Sequence, residues 1–402
     1  MEEAKLGTMT KRKIGYGIVQ PGDTLVDGIP VIKVNNIISG LRNVSELDKT
    51  SIENDRKYHR TKLIGGELLI SVVGTIGKTA IVPHAFAGCN LVRAVVMIDI
   101  PDTLLSLWVK YYIDSPKGQS YIKQNLNTTV QPTLNVKSLV EMPIPLFPKK
   151  TMETIVGVLK TLDDKIEVNR RINDNLEKQA QALFKSWFVD FEPFKDGEFV
   201  ESELGMIPKG WKVKSLSGIA DYRNGLAMQK FRPIDGEIGL PVLKIKELGQ
   251  GLCDDSSELC SPSMIGEKYI VNDGNIVFSW SGTLMVKLWC GGKCGLNQHL
   301  FLVDPQGFPN WFVYQWTKHH LDNFIRIAKD KAVTMGHIKR GELDKAKVVV
   351  PNEKGMCNIN ALMEPLFKQT IAIQIESRRL AQLRDTLLPR LMSGELKVEA
   401  GF

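Results

Sequence analysis

The chain carries the same pattern of residues twice, and this duplication constrains its fold more than any other feature of the sequence. Four matches occur in the same order in both halves: Gly28–Val34 (GIPVIKV) with Gly239–Ile245 (GLPVLKI), Gly66–Thr75 (GELLISVVGT) with Gly274–Thr283 (GNIVFSWSGT), Cys89–Leu91 with Cys294–Leu296, and Asp99 with Asp304. The offset falls slowly, from 211 between Gly28 and Gly239 to 203 between Pro148 and Pro351. This pattern predicts one structural unit, duplicated, with small insertions in its loops.

Each repeat ends in a long stretch with helical periodicity. From Thr151 to Phe188, apolar residues recur every three or four positions without a proline, and such a helix would be roughly 57 Å long. A seven-residue apolar repeat is typical of helices packed side by side, and Asn169 and Asn173 on the seam would specify one register. The residues predicted to pair the helices are Leu159, Leu162, Ile166, Leu176 and Leu183 in the first and Leu366, Ile373, Leu380 and Leu387 in the second. We therefore expect an antiparallel coiled coil and a pseudo-two-fold internal repeat.

The globular part of each repeat is predicted to be α+β, because short β-rich runs bounded by glycine, proline or asparagine are followed by helical stretches. The predicted strands are Pro30–Val34, Leu68–Val73, Val92–Ile98, Ile276–Phe278 and Lys347–Val350, and the predicted helices lie around Leu104–Ser115 and Trp311–Ile327. The strand order stays open. The predicted divisions are a first globular domain at 1–148, a long helix at 149–190, a linker at 191–210, a second globular domain at 211–351 and a second long helix at 358–396.

The composition is that of a soluble globular protein, with 402 residues of which 43% are hydrophobic and 24% charged. No apolar run approaches the length of about 18 residues that a transmembrane helix needs. The N-terminal segment (MEEAKLGTMTKRK) lacks the apolar core of a signal peptide, which favours a cytoplasmic location. Six cysteines without a regular spacing are expected to be reduced thiols.

Two local patterns resemble functional sites but fail on their spacing. Gly74–Thr79 (GTIGKT) has valine at position 72, where a phosphate-binding loop needs its first glycine, and the matching turn after Thr283 has no Gly-Lys pair. Cys290 and Cys294, with His299 nearby, lack the second ligand pair of a structural zinc site. Methyltransferase, metalloprotease, serine hydrolase and nuclease motifs are also missing from the sequence. We therefore predict no catalytic residues, no metal and a turn at 74–79.

The positive charge is clustered. Arg56–Lys62 holds four full positive charges and no acidic residue, Lys11–Lys13 forms a second cluster, and a third contains Lys329, Lys331, Lys339 and Arg340. A single cluster of this kind is more often a solvated surface. Three clusters at comparable points of two repeats favour a polyanionic partner, although the net charge of +7 is modest.

The duplicated chain resembles the specificity subunits of type I restriction–modification systems. Leu176–Phe191 (LEKQAQALFKSWFVDF) is similar to the central conserved region of that family, and Leu383–Leu396 (LRDTLLPRLMSGEL) is similar to its C-terminal conserved region. Ile207–Trp211 (IPKGW) resembles the usual start of a target-recognition domain. Met1–Tyr16 lacks this string, which leaves the opening strand of the first domain unassigned.

The resemblance implies a recognition subunit without activity of its own. Each globular domain would read one half of a split, asymmetric double-stranded DNA site, and the helices would set the spacer and dock two modification (methyltransferase) subunits. Restriction subunits would bind through the modification subunits. S-adenosylmethionine, ATP and Mg would be used by these partners, and this chain would hold no cofactor.

The DNA-contacting residues are chosen by their chemistry, because the reader residues of the family vary. Phosphates attract lysine and arginine, while base edges in the major groove suit arginine, lysine, asparagine and glutamine. The candidates in the first domain are Lys33, Asn35, Asn36, Arg56, Lys57, Arg60, Lys62, Lys78 and Gln131. Those in the second domain are Arg223, Lys230, Arg232, Lys244, Lys246, Lys329, Lys331 and Lys339.

Two other functions fit the same pattern. The chain could bind DNA alone, as part of a fused restriction enzyme, and would then bind its site tightly without methyltransferase subunits. It could also be a coiled-coil adapter whose globular domains bind protein, and would then show no salt-dependent binding to DNA.

Overall fold

The computed structural model describes residues 2–127, 131–330 and 336–396. The described residues up to Asp164, together with those from Gln382 onward, form one compact unit, and Lys165–Ala381 form the other. Each of the two long helices therefore contributes residues to both units. This division differs from the predicted one, in which the helices are segments separate from the globular domains.

The first unit contains the shorter elements of the first repeat and the beginning of the first long helix. Its strands are β1 (Glu2–Lys5), β2 (Gly15–Tyr16), β3 (Ile29–Ile32), β4 (Lys49–Thr50), β5 (Leu68–Ser71), β6 (Thr79–Ile81), β7 (Asn90–Leu91), β8 (Val95–Ile98), β9 (Leu126–Asn127), β10 (Thr133–Leu134) and β11 (Pro143–Leu146). Its helices are α1 (Val34–Ser39), α2 (Ile52–Lys57), α3 (Thr103–Asp114), α4 (Pro116–Gln124), α5 (Val136–Val140) and the long α6 (Lys149–Phe188).

Two small sheets form the centre of the first unit. One is antiparallel with the strand order β2-β8-β5-β6, and the other has the order β4-β3-β7, in which β3 and β7 run parallel. Alternate residues of β5 and β8 face two different hydrophobic clusters, with Leu68 and Ile70 packed toward α3 and Leu69 toward β3. Strands β5 and β8 are buried on both faces, which explains their nearly continuous apolar sequences.

The second unit contains the second repeat. Its strands are β12 (Phe199–Ser202), β13 (Gly205–Pro208), β14 (Lys212–Ser215), β15 (Ala220–Asn224), β16 (Leu240–Leu243), β17 (Leu259–Cys260), β18 (Ile270–Val271), β19 (Ile276–Ser279), β20 (Met285–Leu288), β21 (Cys294–Leu296), β22 (Leu300–Pro305) and β23 (Lys347–Val350). Its helices are α7 (Ile245–Gln250), α8 (Pro262–Ile265), α9 (Asn310–His319), α10 (Leu321–Asp330), α11 (Gly341–Lys345) and the long α12 (Glu353–Met392).

The topology of the second unit repeats that of the first. Its antiparallel sheet has the order β15-β22-β19-β20, and its mixed sheet has the order β17-β16-β21-β18, with β16 and β21 parallel. The mixed sheet of the second unit has one strand more than that of the first unit, β18, which pairs with β21. The predicted α+β class and internal duplication are confirmed, and the structure supplies the strand order that the sequence left open.

The N-terminal segment and the predicted linker both form strands. Strand β1 pairs antiparallel with β11, just as β14 pairs with β23 in the second unit, so the repeat begins at the first described residues despite the missing IPKGW string. Within the predicted linker at 191–210, β12 and β13 form a hairpin that positions Trp211 in the core. The linker is therefore a structured start of the second domain.

Most predicted elements differ by a few residues from those in the structure, as three examples show. Strand β3 stops at Ile32, because the backbone N–H of Lys33 donates to the side chain of Asn36 (2.7 Å) and begins α1. The helical stretch predicted around Trp311–Ile327 is two helices, α9 and α10, divided at His320. The second long helix begins at Glu353 and ends at Met392, where the prediction had 358–396, and Gly394 follows it with a positive φ of 75°.

The long helices pair antiparallel within each unit. In the first unit Asp163 of α6 accepts a hydrogen bond from Arg384 of α12 (2.8 Å), and in the second unit Asn169 donates to Glu376 (2.7 Å). In the second unit Ala180, which follows Asn169 in α6, borders one small cavity with Phe367, which precedes Glu376 in α12, so rising residue numbers meet falling ones, as the predicted antiparallel coiled coil requires.

The buried positions of the helices overlap only partly with the residues predicted to pair them. Of these residues, Leu159 and Leu176 are buried. The others are half-buried: Leu162, Ile166, Leu183, Leu366, Ile373, Leu380 and Leu387. In α12 the fully buried side chains include Ile359, Met363, Phe367, Leu388 and Leu391. They belong to the same hydrophobic clusters as the globular domains, so each helix packs along a broader face than a coiled-coil seam.

Candidate nucleic-acid interface

In each mixed sheet, two parallel strands end at the same border of the sheet, and several candidate residues follow them directly. Residues Ile32 and Leu91 are paired across β3 and β7, and residues Leu243 and Leu296 are paired across β16 and β21. Because parallel strands end at the same side of a sheet, the residues that follow them lie together. We call residues 33–35 with 92–94, and residues 244–246 with 297–299, the first and second recognition edges.

At each recognition edge, a glycine allows a preceding segment of the chain to pass close to the backbone of the edge. A Cβ atom on Gly17 would lie 2.1 Å from the carbonyl oxygen of Leu91, and one on Gly225 would lie 2.2 Å from that of Asn297. Only glycine fits at these close approaches. The following residues, Ile18 and Leu226, form parallel bridges to Val92 and Asn297, so the same crossing occurs in both repeats.

The second recognition edge borders an open cleft of about 390 Å³. The cleft is lined by Gln229, Arg232, Lys244, Ile245, Lys246, Glu258, Asn297, Gln298 and His299. Arg232 forms an ion pair with Glu258 (3.0 Å), and Lys244 donates a hydrogen bond to the same carboxylate. The hydrogen bond from Lys244 lowers the pKa of Glu258, outweighing the effect of burial. Arg232 and Lys244 share one carboxylate, and Lys246 lies 3.9 Å from the carboxylate of Glu247, so these three cations face two anions and the excess positive charge favours a polyanion.

Several groups in this cleft can form specific hydrogen bonds. Lys246 donates to Ser256 (2.9 Å), and the side chain of Gln298 lies 3.3 Å from Nε2 of His299. The other ring nitrogen of His299, Nδ1, is buried without a hydrogen-bond partner among the described residues. Glutamine and lysine side chains with free hydrogen-bonding capacity are the groups that discriminate base edges in a major groove.

The first recognition edge has the same arrangement with different side chains. Lys33 forms an ion pair with Asp48 (2.6 Å), as its counterpart Lys244 does with Glu258. The hydrogen bond from Lys33 lowers the pKa of Asp48. Asn35 is exposed, and Arg93 is exposed at the position that Gln298 occupies in the second repeat. Within the described part of the chain, the guanidinium of Arg93 forms no ion pair.

Two candidates of the first domain have structural roles. Asn36 caps α1 through the backbone of Lys33, as Glu247 caps α7 through Lys244 (3.2 Å). Lys62 forms an ion pair with the buried carboxylate of Asp55 (2.7 Å), so its charge is largely neutralised. Asn36 and Lys62 therefore have roles inside the domain, and their contact with DNA stays a prediction.

The basic segment 56–62 supplies two exposed arginines beside β7. Asp55 anchors the segment by accepting a hydrogen bond from Asn90 (2.9 Å). Lys57 pairs with Glu53 on the same helix (2.8 Å), which is a weak solvent-exposed interaction. Arg56 and Arg60 are exposed, and neither forms an ion pair with another described residue.

The other basic candidates lie outside the cleft lining. Arg223 pairs with Asp221 (3.2 Å) and Asp304 (3.5 Å) and lines a different cleft, so the structure does not bring it to the second recognition edge. The exposed candidates away from the cleft lining are Lys78, Gln131, Lys230, Lys329 and Lys339. Lys331 lies outside the described residues.

Some edge residues were missed by sequence reasoning. They are Arg93 in the first repeat and Gln229, Asn297, Gln298 and His299 in the second. A signal for most of them was present, because the match of Cys89–Leu91 with Cys294–Leu296 leads directly into these positions. The candidates were chosen by residue type, with Asn35, Asn36 and Gln131 among them, and the repeat was not used to find the residues that follow Leu91 and Leu296.

The rejected phosphate-binding loop is a hairpin turn. Residues 72–78 connect the antiparallel strands β5 and β6, and the hydroxyl of Ser71 accepts a hydrogen bond from the backbone N–H of Lys78 (2.9 Å). Among the described residues, no group of three or more potential ligands is placed to hold a metal ion. Burial raises the pKa of the Cys290 thiol to about 11. None of the described helices combines the length and apolar character needed to span a bilayer.

Comparison with known families identifies the class of this chain. Residues 10–178 and 208–384 both match the model of the type I restriction modification DNA specificity domain. The two matched segments coincide with the two repeats. The chain belongs to this family, and it is a specificity subunit that recognises DNA sequence.

The chain is similar to proteins that are named as type I restriction enzyme specificity subunits. The chain is 28% identical over 343 residues to the type I restriction enzyme MjaIX specificity subunit of Methanocaldococcus jannaschii, covering 83% of this chain and 78% of that one. It is 23% identical to the HindI specificity subunit of Haemophilus influenzae, over 66% of this chain and 71% of the relative. It is similar in fold to the crystal structure of the S subunit from M. genitalium, with a TM-score of 0.50 and 13% identity over 97% of this chain and 95% of the other.

Proposed function

We propose that each repeat reads one half of a bipartite, asymmetric DNA site. The observation that carries this proposal is a comparison of the two recognition edges: one position has lysine in both repeats, and the neighbouring positions have different residues. Lys33 and Lys244 occupy matching positions and form matching ion pairs. Beside them, Asn35 is replaced by Lys246 and Arg93 by Gln298. The same scaffold therefore presents different hydrogen-bonding groups, and two different half-sites are expected.

The long helices are proposed to set the distance between the two half-sites and to dock two modification subunits. The length of α6 and α12, 40 residues each, supports this assignment. The exposed surfaces of the helices are rich in charged side chains, as in Arg171 and Glu167, which would suit a polar partner surface. Methyl transfer and ATP-dependent cleavage, with S-adenosylmethionine, ATP and Mg, are assigned to partner subunits.

The test is the replacement of one edge residue in cells that express the chain with its modification subunits. In the Arg93→Ala variant, sequencing of methylated DNA should show relaxed specificity in one half-site only. In the Gln298→Ala variant, the other half-site should relax. Loss of a bidentate base contact costs about 1–3 kcal/mol of discrimination, a change that methylation patterns resolve.

The matched control is Lys123→Ala, which removes one positive charge from an exposed position on α4. This variant should keep both half-sites. The proposal is wrong if Arg93→Ala and Gln298→Ala change the same half-site, or if both leave the methylated sequence unaltered. Tight sequence-specific binding by the chain without methyltransferase subunits would favour a self-sufficient DNA-binding protein instead.

A further inference from the structure

At each recognition edge, the lysine forms an ion pair with an acidic residue that lies just before the neighbouring antiparallel strand, β4 or β17. We call Lys33 with Asp48 the first edge pair, and Lys244 with Glu258 the second edge pair. The four side chains are between 39% and 46% exposed. An ion pair this open to solvent contributes little to folding stability. Its presence at the same place in both repeats therefore indicates a role other than stability.

The two acidic residues are equivalent in the fold, although the sequence suggests a different match. The string Ser-Glu-Leu occurs in both segments and would align Glu46 with Glu258. In the structure, the backbone carbonyl oxygen of Asp48 accepts a hydrogen bond from β3 (2.8 Å), as that of Glu258 accepts one from β16 (2.7 Å). The register of the strands thus places Asp48 and Glu258 at one position, and each faces the lysine that follows β3 or β16.

The lysine of each edge pair is held at both ends. Its backbone N–H donates to a side chain of the following helix, Asn36 for Lys33 (2.7 Å) and Glu247 for Lys244 (3.2 Å). Its ammonium group is held by the carboxylate of the edge pair. A lysine that is fixed in this way loses less side-chain entropy when it binds a ligand. Asp48 and Glu258 therefore position the lysine side chains at the recognition edges.

The hydrogen-bonding groups of each edge pair are only partly used. An ammonium group has three N–H donors, and the carboxylate of its pair accepts from one of them. One oxygen of each carboxylate binds the lysine, and the other binds Thr24 (2.7 Å) in the case of Asp48 and Arg232 (3.0 Å) in the case of Glu258. Because a carboxylate has about four lone-pair sites, each edge pair retains both donors and acceptors for a ligand.

The second edge pair is open to a ligand, since Lys244 and Glu258 both line the cleft of about 390 Å³. The hydrogen bond from the lysine lowers the pKa of Glu258, as that from Lys33 lowers the pKa of Asp48, so both carboxyl groups are ionised at neutral pH. An ionised carboxylate next to the lysine repels a phosphate group. The edge pair therefore favours an uncharged ligand that offers an acceptor and a donor side by side.

We propose that each edge pair reads one G·C base pair in the major groove, with the lysine donating to guanine and the carboxylate accepting from the amino group of cytosine. The inference rests on the proposed function. Guanine has two neighbouring acceptors in the major groove, N7 and O6, and the N4 amino group of the paired cytosine is a donor. Adenine has a donor next to its N7, so an A·T pair lacks the two neighbouring acceptors that suit an ammonium group.

The test uses the full chain in complex with its modification subunits and selects bound duplexes from a random-sequence library. At one position of each half-site, exchange of G·C for A·T should weaken binding about tenfold. A pair of inosine with cytosine should bind as well as G·C, because inosine lacks only the amino group that guanine presents in the minor groove. Weaker binding of the inosine duplex would show minor-groove reading and overturn the inference.

Removal of the carboxylate should reduce this preference in one half-site at a time. In the Glu258→Gln variant, the preference for G·C over A·T should fall from about tenfold to about threefold at one position, because an amide donates to thymine O4 as well as accepting from cytosine. Asp48→Asn should have the same effect in the other half-site. The half-site that each variant still reads normally shows that the chain is folded. An unchanged preference in both variants would overturn the inference.

The controls are Glu46→Gln and Glu267→Gln, which each remove one negative charge from an exposed position of the first or second repeat. Both should keep the full preference for G·C. Lys244→Ala should lower the preference at the same position as Glu258→Gln. If it instead lowers the logarithmic salt dependence by about 0.9 and leaves every base preference intact, the lysine binds a phosphate and the inference is wrong.

The selected sequences separate this inference from the proposed function. Half-sites that contain no G·C pair would overturn the inference and leave the proposed function standing. Failure to select any sequence from the library would instead contradict the proposed function.

Discussion

At the scale of single residues, charge in the sequence is a poor guide to DNA contact until the partner of each charge is known. Lys62 and Arg60 belong to one basic segment, but Lys62 is held by the buried Asp55 while Arg60 is exposed. Arg12 shows the same distinction in the cluster Lys11–Lys13, because it bridges Asp99 and Glu67 (2.5 Å each). Lys62 and Arg12, which pair with buried carboxylates, are expected to stabilise the domain more than they bind phosphates.

This distinction predicts different outcomes for neighbouring substitutions. The double variant Arg56→Ala and Arg60→Ala should reduce the salt dependence of DNA binding by about 0.9 in the logarithmic slope for each lost phosphate contact. Lys62→Ala should keep that slope and lower the free energy of unfolding by about 1–3 kcal/mol, because Asp55 loses a buried partner. Binding titrations at several salt concentrations and urea unfolding measure the two effects. An unchanged slope in the double variant would show that this segment faces away from DNA.

At the scale of elements, the two globular domains are attached to the helix pair by different chemistry. In the first unit, Asp163 of α6 accepts hydrogen bonds from Arg384 (2.8 Å) and from Tyr111 of α3 (2.9 Å). In the second unit, aromatic packing dominates, with Phe184 of α6 against Trp316 of α9 at a centroid distance of 4.9 Å. Both units also bury apolar side chains of the helices in the core of the domain, such as Leu159 in the first and Phe367 in the second, so the charged network of Asp163 adds to apolar packing in the first unit.

The Asp163 network gives a pH-dependent contribution to stability. Burial alone would raise the pKa of Asp163, but Lys110 and Arg384 outweigh it and leave this pKa below its ordinary value. The contribution is therefore present above the ordinary carboxyl pKa of about 3.9 and is lost as the pH falls through the lowered pKa. Asp163→Asn should cost roughly 3 kcal/mol at pH 7, because it leaves Arg384 without its buried partner, and much less in acid.

Urea unfolding at neutral and acidic pH measures this difference. Asp164→Asn is the control, since Asp164 is exposed and pairs with Lys160 on the same helix. It should change the free energy of unfolding by less than about 1 kcal/mol. Equal costs for the two variants at neutral pH would show that Asp163 does not hold α3 to the helices.

At the scale of the whole molecule, the duplication means that one repeat should contain what a recognition domain needs. The first unit nevertheless includes residues from Gln382 onward, which α12 supplies. A fragment of one repeat must therefore obtain the missing helix from a second copy of itself. The pairing geometry within each unit is antiparallel, which suits a two-fold dimer.

A fragment of residues 1–205 is expected to dimerise through α6. Burial of Leu159 and the neighbouring apolar side chains is worth roughly 1.5–3 kcal/mol for each large residue. Asn169 opposes this pairing, because its hydrogen-bond partner Glu376 is absent and the matching position is Ile172. Asn169→Leu should therefore strengthen the dimer, as measured by analytical ultracentrifugation.

With modification subunits added, the dimer should methylate a palindromic split site made of the first half-site and its inverted copy. Arg171→Leu, an exposed substitution on the same helix, is the control and should leave the association constant unchanged. A fragment that stays monomeric at micromolar concentration even with Asn169→Leu would contradict the conclusion that each repeat is a complete unit.

The sequence by itself determined the duplication, the α+β class and the two long helices. These features follow from patterns along the chain: repeated strings, and apolar spacing that a helix or a strand must present to one face. The family resemblance also depended on continuous strings, such as Leu176–Phe191, and the family match confirmed it.

Only the tertiary structure decided which charged groups are available and which residues share an edge. The sequence does not show that Asn36 caps α1 or that Lys62 pairs with the buried Asp55. Arg93 and Lys33 are 60 positions apart in the chain, and only the parallel pairing of β3 and β7 brings them to one edge. Hydrogen bonds and ion pairs act over a few ångströms in space, so their partners cannot be read from spacing along the chain.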